Sequence, residues 1–407
     1  VRDWMAHRDP VRNYPRLLED KGVLGAGEFE RIEAEVRQEL AAAIAFARQG
    51  PHPDAGAAYQ DLYAPVRVQG NAIATHTVDR PEPADRRDMI YLMAINEAQR
   101  EELERDAKVI VYGEDVRCNL WGGTAFARDF PKERVFDSPL SEAGFVGAGL
   151  GAAMTGLRPV IDMTIANFLY PAMDQFVNQA AKIRYMFGGQ ATLPVTFRAA
   201  MMYGMGIGAH HSDRPYPMFM NVPGLKIVAP ASAFDAKGLL KAAIRDDNPV
   251  LCFEDASLWM CSGHVPAEDY IVPRGLPDIK RRGRDLTLVG ISGGVRVALE
   301  AAEDLAAEGI EAEVVDPRTL VPLDIDTIVR SVARTRYLVV VDPAHQTCGA
   351  SAEICTRVVE LAFDSLRAAP VRVNTPDIQI PFAPEMEVPL YPNRARVAET
   401  VRKLLGA

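Results

Sequence analysis

The feature that most constrains this chain is a repeated switch of hydrophobic period. Short apolar runs of strand length stand at Val109-Ile110-Val111-Tyr112, Pro159–Met163, Pro194-Val195-Thr196-Phe197 and Lys226-Ile227-Val228. Between them lie stretches of helical character, such as Met89–Asp106 and the small-residue run Gly144–Gly156. Strands that are apolar throughout suit burial on both faces, and strands alternating with helices predict a mainly parallel sheet. The pattern resumes after a polar stretch. Strands are expected at Leu286–Ile291, Ala312–Val315, Leu338–Val341 and near Val371-Arg372-Val373, with a helix at Val295–Glu308. The expected fold class is therefore α/β, with two parallel-sheet domains at residues 88–266 and 285–407 and a linker at 267–284. The proline-rich Pro376–Pro392 is expected to be extended.

The first 63 residues read differently, as a helical arm. Asp9-Pro10 is an N-cap followed by proline at the first helical position. From Glu28 to Gln49, Phe29, Ile32, Val36, Leu40, Ile44 and Ala47 fall at steps of three and four, which is one apolar stripe of a helix. Gly50-Pro51 ends it. An arm this short has no core of its own, so the stripe is expected to dock on a larger body. Residues 64–87 mix Pro, Asp, Arg, Thr and Gly without period, which is linker chemistry.

With a formal net charge of −10, the surface offers no electrostatic reason to bind nucleic acid or an anionic membrane. No run of about 18 apolar residues exists, so no membrane span is expected. The five cysteines form no CxxC pair, and Cys252 sits in an apolar run as a small hydrophobe. A reducing compartment is expected, cytoplasmic or matrix-like. The polar N-terminus lacks an initiator Met, which fits a processed product or a fragment.

The most informative stretch is Ser141-Glu142-Ala143-Gly144-Phe145-Val146-Gly147-Ala148-Gly149-Leu150-Gly151-Ala152. Ser141 is a candidate N-cap. Glycines 144, 147 and 151 recur at helical spacing and leave one face nearly bare, open to the close approach of another backbone. The plain reading of Glu142 is an acid favoured by the helix dipole. The functional reading is a carboxylate held at a packed interface, where it can share a proton with a ligand nitrogen. In Gly208-Ala209-His210-His211-Ser212, the plain reading is a polar loop whose histidines are satisfied by backbone. A metal pair is disfavoured, because no Cys or carboxylate partner is evident. For Phe168, ordinary core packing stands beside a stacking role.

Taken together, Glu142-x4-Gly147-Ala148-x2-Gly151-Ala152, Tyr112-Gly113-Glu114-Asp115-Val116, Gly156-Leu157-Arg158-Pro159, Pro171-Ala172-Met173-Asp174-Gln175, Ala243-Ile244-Arg245-Asp246-Asp247-Asn248-Pro249 and Val315-Asp316-Pro317-Arg318-Thr319-Leu320 resemble, in order, the β subunit of thiamine-diphosphate-dependent 2-oxo acid dehydrogenases. The resemblance implies a pyrimidine-binding domain followed by a transketolase C-terminal domain. It implies that Glu142 hydrogen-bonds the aminopyrimidine, that Phe168 packs on it, and that His211 lies at the thiazolium face and serves acyl transfer to a lipoyl arm. It also implies a potassium site, built largely of backbone carbonyls, at Val195, Ala243, Ile244, Asp246 and Asn248. His210 has no assigned role. Thr164–Asn167 and Met201-Met202-Tyr203 are candidate pocket linings.

The Gly-Asp-Gly motif that holds Mg2+ and the cofactor pyrophosphate in this group does not occur. In the family the α half supplies it. Residues 9–63, including Asp61-Leu62-Tyr63-Ala64, resemble the end of that α half. The implied partners are an α half, a second β copy in an α2β2-like assembly, a lipoyl acyltransferase E2 and a 2-oxo acid, branched-chain or pyruvate. The alternatives are another transketolase-group enzyme and a non-catalytic docking subunit.

Overall fold

The computed structural model describes residues 2–65, 70–81 and 86–406. They form two compact units, with the boundary between Tyr59 and Gln60. The first unit holds α1 (Arg2–His7), α2 (Pro10–Asp20) and α3 (Glu28–Gln49). Asp9 caps α2 as expected, accepting from the Val11 amide at 2.9 Å. α3 spans the predicted range, and Arg31–Glu35 and Arg37–Glu33 pair along its polar side. Among the described residues of this unit nothing covers its apolar stripe, and Ile32, Val36, Leu40 and Ile44 are exposed.

The second unit opens with β1 (Asp88–Ile90), α4 (Tyr91–Arg105), β2 (Val109–Gly113), β3 (Val135–Asp137), α5 (Glu142–Met154) and β4 (Arg158–Ile165). It continues through α6 (Ile183–Met186), β5 (Thr196–Met201), α7 (Tyr216–Met220), β6 (Lys226–Val228), α8 (Ala233–Ile244), β7 (Val250–Asp255) and β8 (Ser262–His264). Then come β9 (Asp278–Arg281), β10 (Leu286–Gly290), α9 (Gly293–Ala307), β11 (Ala312–Asp316), β12 (Thr319–Val321), α10 (Ile325–Thr335) and β13 (Leu338–His345). Last are α11 (Ala350–Ala362), β14 (Val371–Thr375), α12 (Pro384–Glu387) and α13 (Arg394–Leu405).

Two sheets result, as expected for an α/β chain. The first has the order β12-β6-β7-β5-β4-β2-β3 and the second β14-β13-β10-β11-β9. Both are parallel except at one edge each, where β12 runs against β6 and β9 against β11. β1 and β8 form a separate antiparallel pair. The second half thus lends β12 to the first half's sheet. β9 lies inside the stretch read as a linker, and Pro384–Glu387 is helical where an extended segment was expected. Residues 64–87 are no free tether where described, since Ile73 donates to the Ile271 carbonyl at 2.9 Å and Thr77 bonds Asp278. Residues 66–69 and 82–85 of that stretch lie outside the described residues.

All twelve residues of α8 are buried, including Lys237 and Lys241. Their ammonium groups escape the desolvation penalty by pairing with Glu97 and Glu101 of α4, and Lys241 also with Asp269. A second buried cluster joins the two sheets. Arg318 meets Asp235 of α8 at 2.7 Å and Asp278 of β9 at 2.8 Å, while Lys280 meets Asp235 at 2.6 Å and Asp278 at 2.7 Å. Arg318 is fully buried, and these contacts replace part of its hydration, its Nη1 having no hydrogen-bond partner.

Candidate functional site

Ligands of open α/β sheets bind beyond the carboxyl ends of the strands. In the first sheet those ends lead straight into the candidate residues. Glu114 follows β2, Glu142 follows β3, Phe168 follows β4 and His211 follows β5. The three predicted catalytic and cofactor residues therefore share one edge of one sheet, although far apart in sequence.

Glu142 opens α5 and is half-buried. No described residue hydrogen-bonds its carboxylate. Ser141 occupies the N-cap position, but its side chain makes no cap bond, contrary to expectation. The helix start is held instead by the Phe145 amide on the Ser141 carbonyl at 2.9 Å. Of the expected glycine face, Gly144 and Gly151 are exposed, as is Ala148 between them. A Cβ on Gly151 would meet nothing, so the far end of this face is bare, whereas half-buried Gly147 faces Gln175, whose Oε1 a Cβ would approach to 3.1 Å. The glycine pressed into the core is Gly149, where a Cβ would fall 2.3 Å from Ile161 and 2.5 Å from the Tyr112 hydroxyl.

Glu114, given no role in the sequence, is a neighbour of Glu142. It is buried, its Oε1 has no hydrogen-bond partner, and its pKa is pushed up to about 7. Burial is the main cause, followed by the charges of Glu142 and Asp115. Glu114 lines a cavity of about 30 Å3 with Thr164, Trp259 and Arg198. Arg198 forms the floor. It is buried, forks onto Glu254 at 2.8 and 2.9 Å, and reaches Asp162 at 2.9 Å. Thr164 carries a left-handed φ of 60°, unusual for a β-branched residue, where the β4–β5 register shifts. Strain of this kind gathers at functional sites.

His211 ends a tight turn, its amide bonded to the Gly208 carbonyl at 3.2 Å. Its ring meets the edge of Phe168 at 5.5 Å between centroids, and its buried Nδ1 has no partner. Phe168 is half-buried and packs against two hydrophobic cores, which leaves part of the ring available. Asp213 fixes this pair. Its Oδ2 accepts from Asn167 Nδ2 at 3.0 Å and from the Tyr170 hydroxyl at 2.8 Å, while its amide donates to Asn167 Oδ1 at 3.1 Å. The residues on either side of Phe168 are thus bolted to the turn that carries His211. Burial, then Asp213, raises the Tyr170 pKa. His210 is exposed. Met201 and Met202 are not pocket linings, since both are fully buried in core. Of that trio only Tyr203 reaches a cavity, a separate one beside Arg214 and Tyr391.

The orphaned Glu114 and His211 atoms, the unengaged Glu142 carboxylate and the part-free Phe168 ring fit a nitrogenous aromatic ring seated along this edge. The five residues expected to hold potassium lie elsewhere, at the amino edge of the same sheet around the start of β5 and the α8–β7 loop. Four of their five carbonyls already have protein donors. Arg158 Nη1 bonds those of Ile244 and Asp246 at 3.0 Å each, the Asp246 amide that of Ala243 at 3.1 Å, and the Val250 amide that of Val195 at 3.0 Å. The Asp246 carboxylate is taken by Lys226 and Arg274.

Comparison with known proteins agrees with this architecture. The chain matches the transketolase pyrimidine binding domain over residues 88–259 and the transketolase C-terminal domain over residues 275–397. It is 41% identical over 328 residues to the acetoin:2,6-dichlorophenolindophenol oxidoreductase subunit beta of Bacillus subtilis (strain 168), covering 77% of this chain and 96% of that one. The 2-oxoisovalerate dehydrogenase subunit beta of the same organism is 41% identical over 321 residues, 78% and 98% of the two chains. The mitochondrial pyruvate dehydrogenase E1 component subunit beta of Bos taurus is 41% identical over 322 residues, 77% and 89%. A solved structure described as a split gene transketolase, inactive beta4 tetramer, superposes with a TM-score of 0.64 over 77% of this chain and 97% of that one. At 24% identity that likeness speaks to the fold. The chain belongs to the family of transketolase-type β subunits that includes those of pyruvate dehydrogenase E1, 2-oxoisovalerate dehydrogenase and the acetoin oxidoreductase.

Proposed function

We propose that this chain is the β portion of a 2-oxo acid dehydrogenase E1 component, completed by an α-type half. The observation that carries the reading is the gathering of Glu142, Phe168 and His211 on one strand edge, with the Glu142 carboxylate uncommitted. Thiamine diphosphate, when bound there, supplies the electron sink for decarboxylation. Glu142 shares a proton with a pyrimidine nitrogen and Phe168 packs on the ring. The unpartnered His211 nitrogen offers a hydrogen bond beside the reacting centre. The raised pKa of Glu114 keeps a proton next to Glu142 near neutral pH, where it can be exchanged.

On this reading the α half holds the pyrophosphate and its Mg2+, since the chain has no Gly-Asp-Gly. The bare far end of the α5 glycine face suits close approach by a neighbouring subunit, and a second β copy completes an α2β2-like assembly. Potassium, if held at the α8–β7 loop, binds through the second lone pairs of the Val195, Ala243, Ile244 and Asp246 carbonyls. The Asn248 carbonyl is the remaining candidate, because the Asn248 side chain is already engaged. The acyl acceptor is the lipoyl arm of an E2 partner and the substrate a branched-chain 2-oxo acid or pyruvate. No helix among the described residues is long and apolar enough to cross a membrane.

The test is Glu142→Gln in the enzyme reconstituted with its α half. Loss of one well-placed proton partner costs roughly 10²–10⁴-fold in rate. Decarboxylation within threefold of wild type would remove Glu142 from the chemistry and favour a non-catalytic docking role.

A further inference from the structure

The segment Asp61–Ala64 lies ahead of the family match, which begins at residue 88, yet it is built into the β-type body. The Asn248 side-chain amide grips both backbone groups of Ala64. Its Oδ1 accepts from the Ala64 amide at 2.6 Å, and its Nδ2 donates to the Ala64 carbonyl at 3.1 Å. That is the pairing one β-strand residue gives another, made here by a side chain. Asn248 is itself fixed, its Nδ2 also reaching Asp246 Oδ1 at 2.7 Å. One residue earlier, the Tyr63 hydroxyl accepts from the Gly224 amide at 3.3 Å and donates to the Leu225 carbonyl at 3.2 Å. The Tyr63 ring lies under the Lys226 ammonium at 5.7 Å. Two residues before that, the Asp61 carboxylate stands over Gly189, where a Cβ would fall 2.4 Å from its Oδ1. Gly189 has a φ of 78°, so a side chain is excluded there on two counts.

These contacts read three of four consecutive residues by different means: charge space for Asp61, an aromatic slot for Tyr63 and a two-point backbone grip for Ala64. A segment merely passing over a surface has no such set. Ala64 is buried to 3% exposure, so its amide and carbonyl depend on Asn248. The cleft sits at the amino edge of the first sheet, opposite the candidate catalytic edge. A tether fastened there leaves the carboxyl edge open.

We propose that this cleft is a peptide-docking site whose occupant is Asp61-Leu62-Tyr63-Ala64, and that it is the anchor by which the polypeptide preceding it is held to the β-type body. Resting on the reading above, it is the point where the α-like segment at residues 9–63 is tied to the β-type body.

The experiment uses the full chain with a site-specific protease sequence inserted directly after Pro65. After cleavage, the anchor alone is expected to hold residues 1–65 to the body through size-exclusion chromatography at micromolar concentration. Tyr63→Ala changes only the docked segment and leaves the body's fold untouched. Asn248→Ala removes the backbone grip. Each removes two hydrogen bonds between segment and body, which is expected to weaken retention roughly tenfold or more. Separation of the cut wild-type piece on the column overturns the proposal, and so does retention equal to wild type in both variants. The readout needs no α half, so failure here leaves the catalytic reading standing, and failure of Glu142→Gln leaves the anchor standing.

Discussion

Asp213 is the residue through which the site's geometry is most open to attack. Replacing it by alanine removes the single carboxylate oxygen that accepts from both Asn167 Nδ2 and the Tyr170 hydroxyl, at 3.0 and 2.8 Å. A hydrogen bond to a charged acceptor is worth about 1.5–3 kcal/mol when buried. Asp213 is only half-buried, and water can reach the freed donors, so about 1 kcal/mol per bond is the working figure and about 2 kcal/mol the total. That should lower Tm by roughly 2–6 °C. The same loosening acts on Phe168, which sits between the two donors, and on His211, two residues before Asp213. If the bolt serves the reacting geometry, the full 2 kcal/mol appears in the barrier as roughly a 30-fold loss of kcat, with KM for the 2-oxo acid little changed. Asp213→Asn keeps an oxygen acceptor and should lose about half as much. Tyr170→Phe removes one bond and should cost about 1 kcal/mol, less than additive with Asp213→Ala. The assay is decarboxylation by the reconstituted enzyme beside thermal unfolding of the chain. A stability loss with unchanged kcat would refute the positioning argument, and no change in either would show that the bolt carries no load.

Three further outcomes follow from the same structure. Arg318→Ala leaves Asp235, Asp278 and Asp316 buried with Lys280 and the partly exposed Arg80 as the remaining cations among the described residues, which should cost about 3–5 kcal/mol. Chemical denaturation that shows less than about 1 kcal/mol would mean that water or rearrangement replaces the guanidinium. Glu114 has a folded pKa of about 7 against an ordinary 4.5, so the fold favours its protonated form. Its stabilising contribution is complete below pH 4.5 and is lost as pH rises through 7. Glu114→Gln should therefore raise Tm relative to wild type at pH 8 and show little of that gain at pH 4.5, whereas an equal difference at both values would contradict the raised pKa. In the Glu142→Gln variant, the removed charge should let the Glu114 pKa fall, read as a downward shift of the same pH–Tm midpoint.

The fold was legible wherever period and burial agreed. The runs at Val109, Pro159, Lys226, Leu286 and Leu338 became strands, and α3 took the range its stripe and Gly50-Pro51 prescribe. Three parts were not legible, each for a physical reason. β7 ends in Glu254 and Asp255, whose acids hide a buried strand until Arg198 is seen to neutralise Glu254. β9 reads as polar linker, because Asp278 and Lys280 are satisfied by Thr77, Arg80, Asp235 and Arg318, which lie far off in sequence. β12 joins the other domain's sheet, a pairing that no local pattern encodes. For the site, the resemblance supplied Glu142, Phe168 and His211, and the structure gathers them on one edge. Glu114 and Asp213 escaped notice because their significance is relational: one lies beside Glu142, the other between Asn167 and Tyr170. The position of Glu114, directly past the end of a buried strand, was the one available signal.

The most direct measurement is an experimental structure of the complete assembly, α-type half included, with thiamine diphosphate bound. The account predicts a Glu142 carboxylate oxygen within hydrogen-bond distance of a pyrimidine nitrogen, with Phe168 against the ring and His211 on the side of the reacting carbon. A Glu142 side chain turned to bulk water, away from cofactor and subunit contact alike, would contradict it.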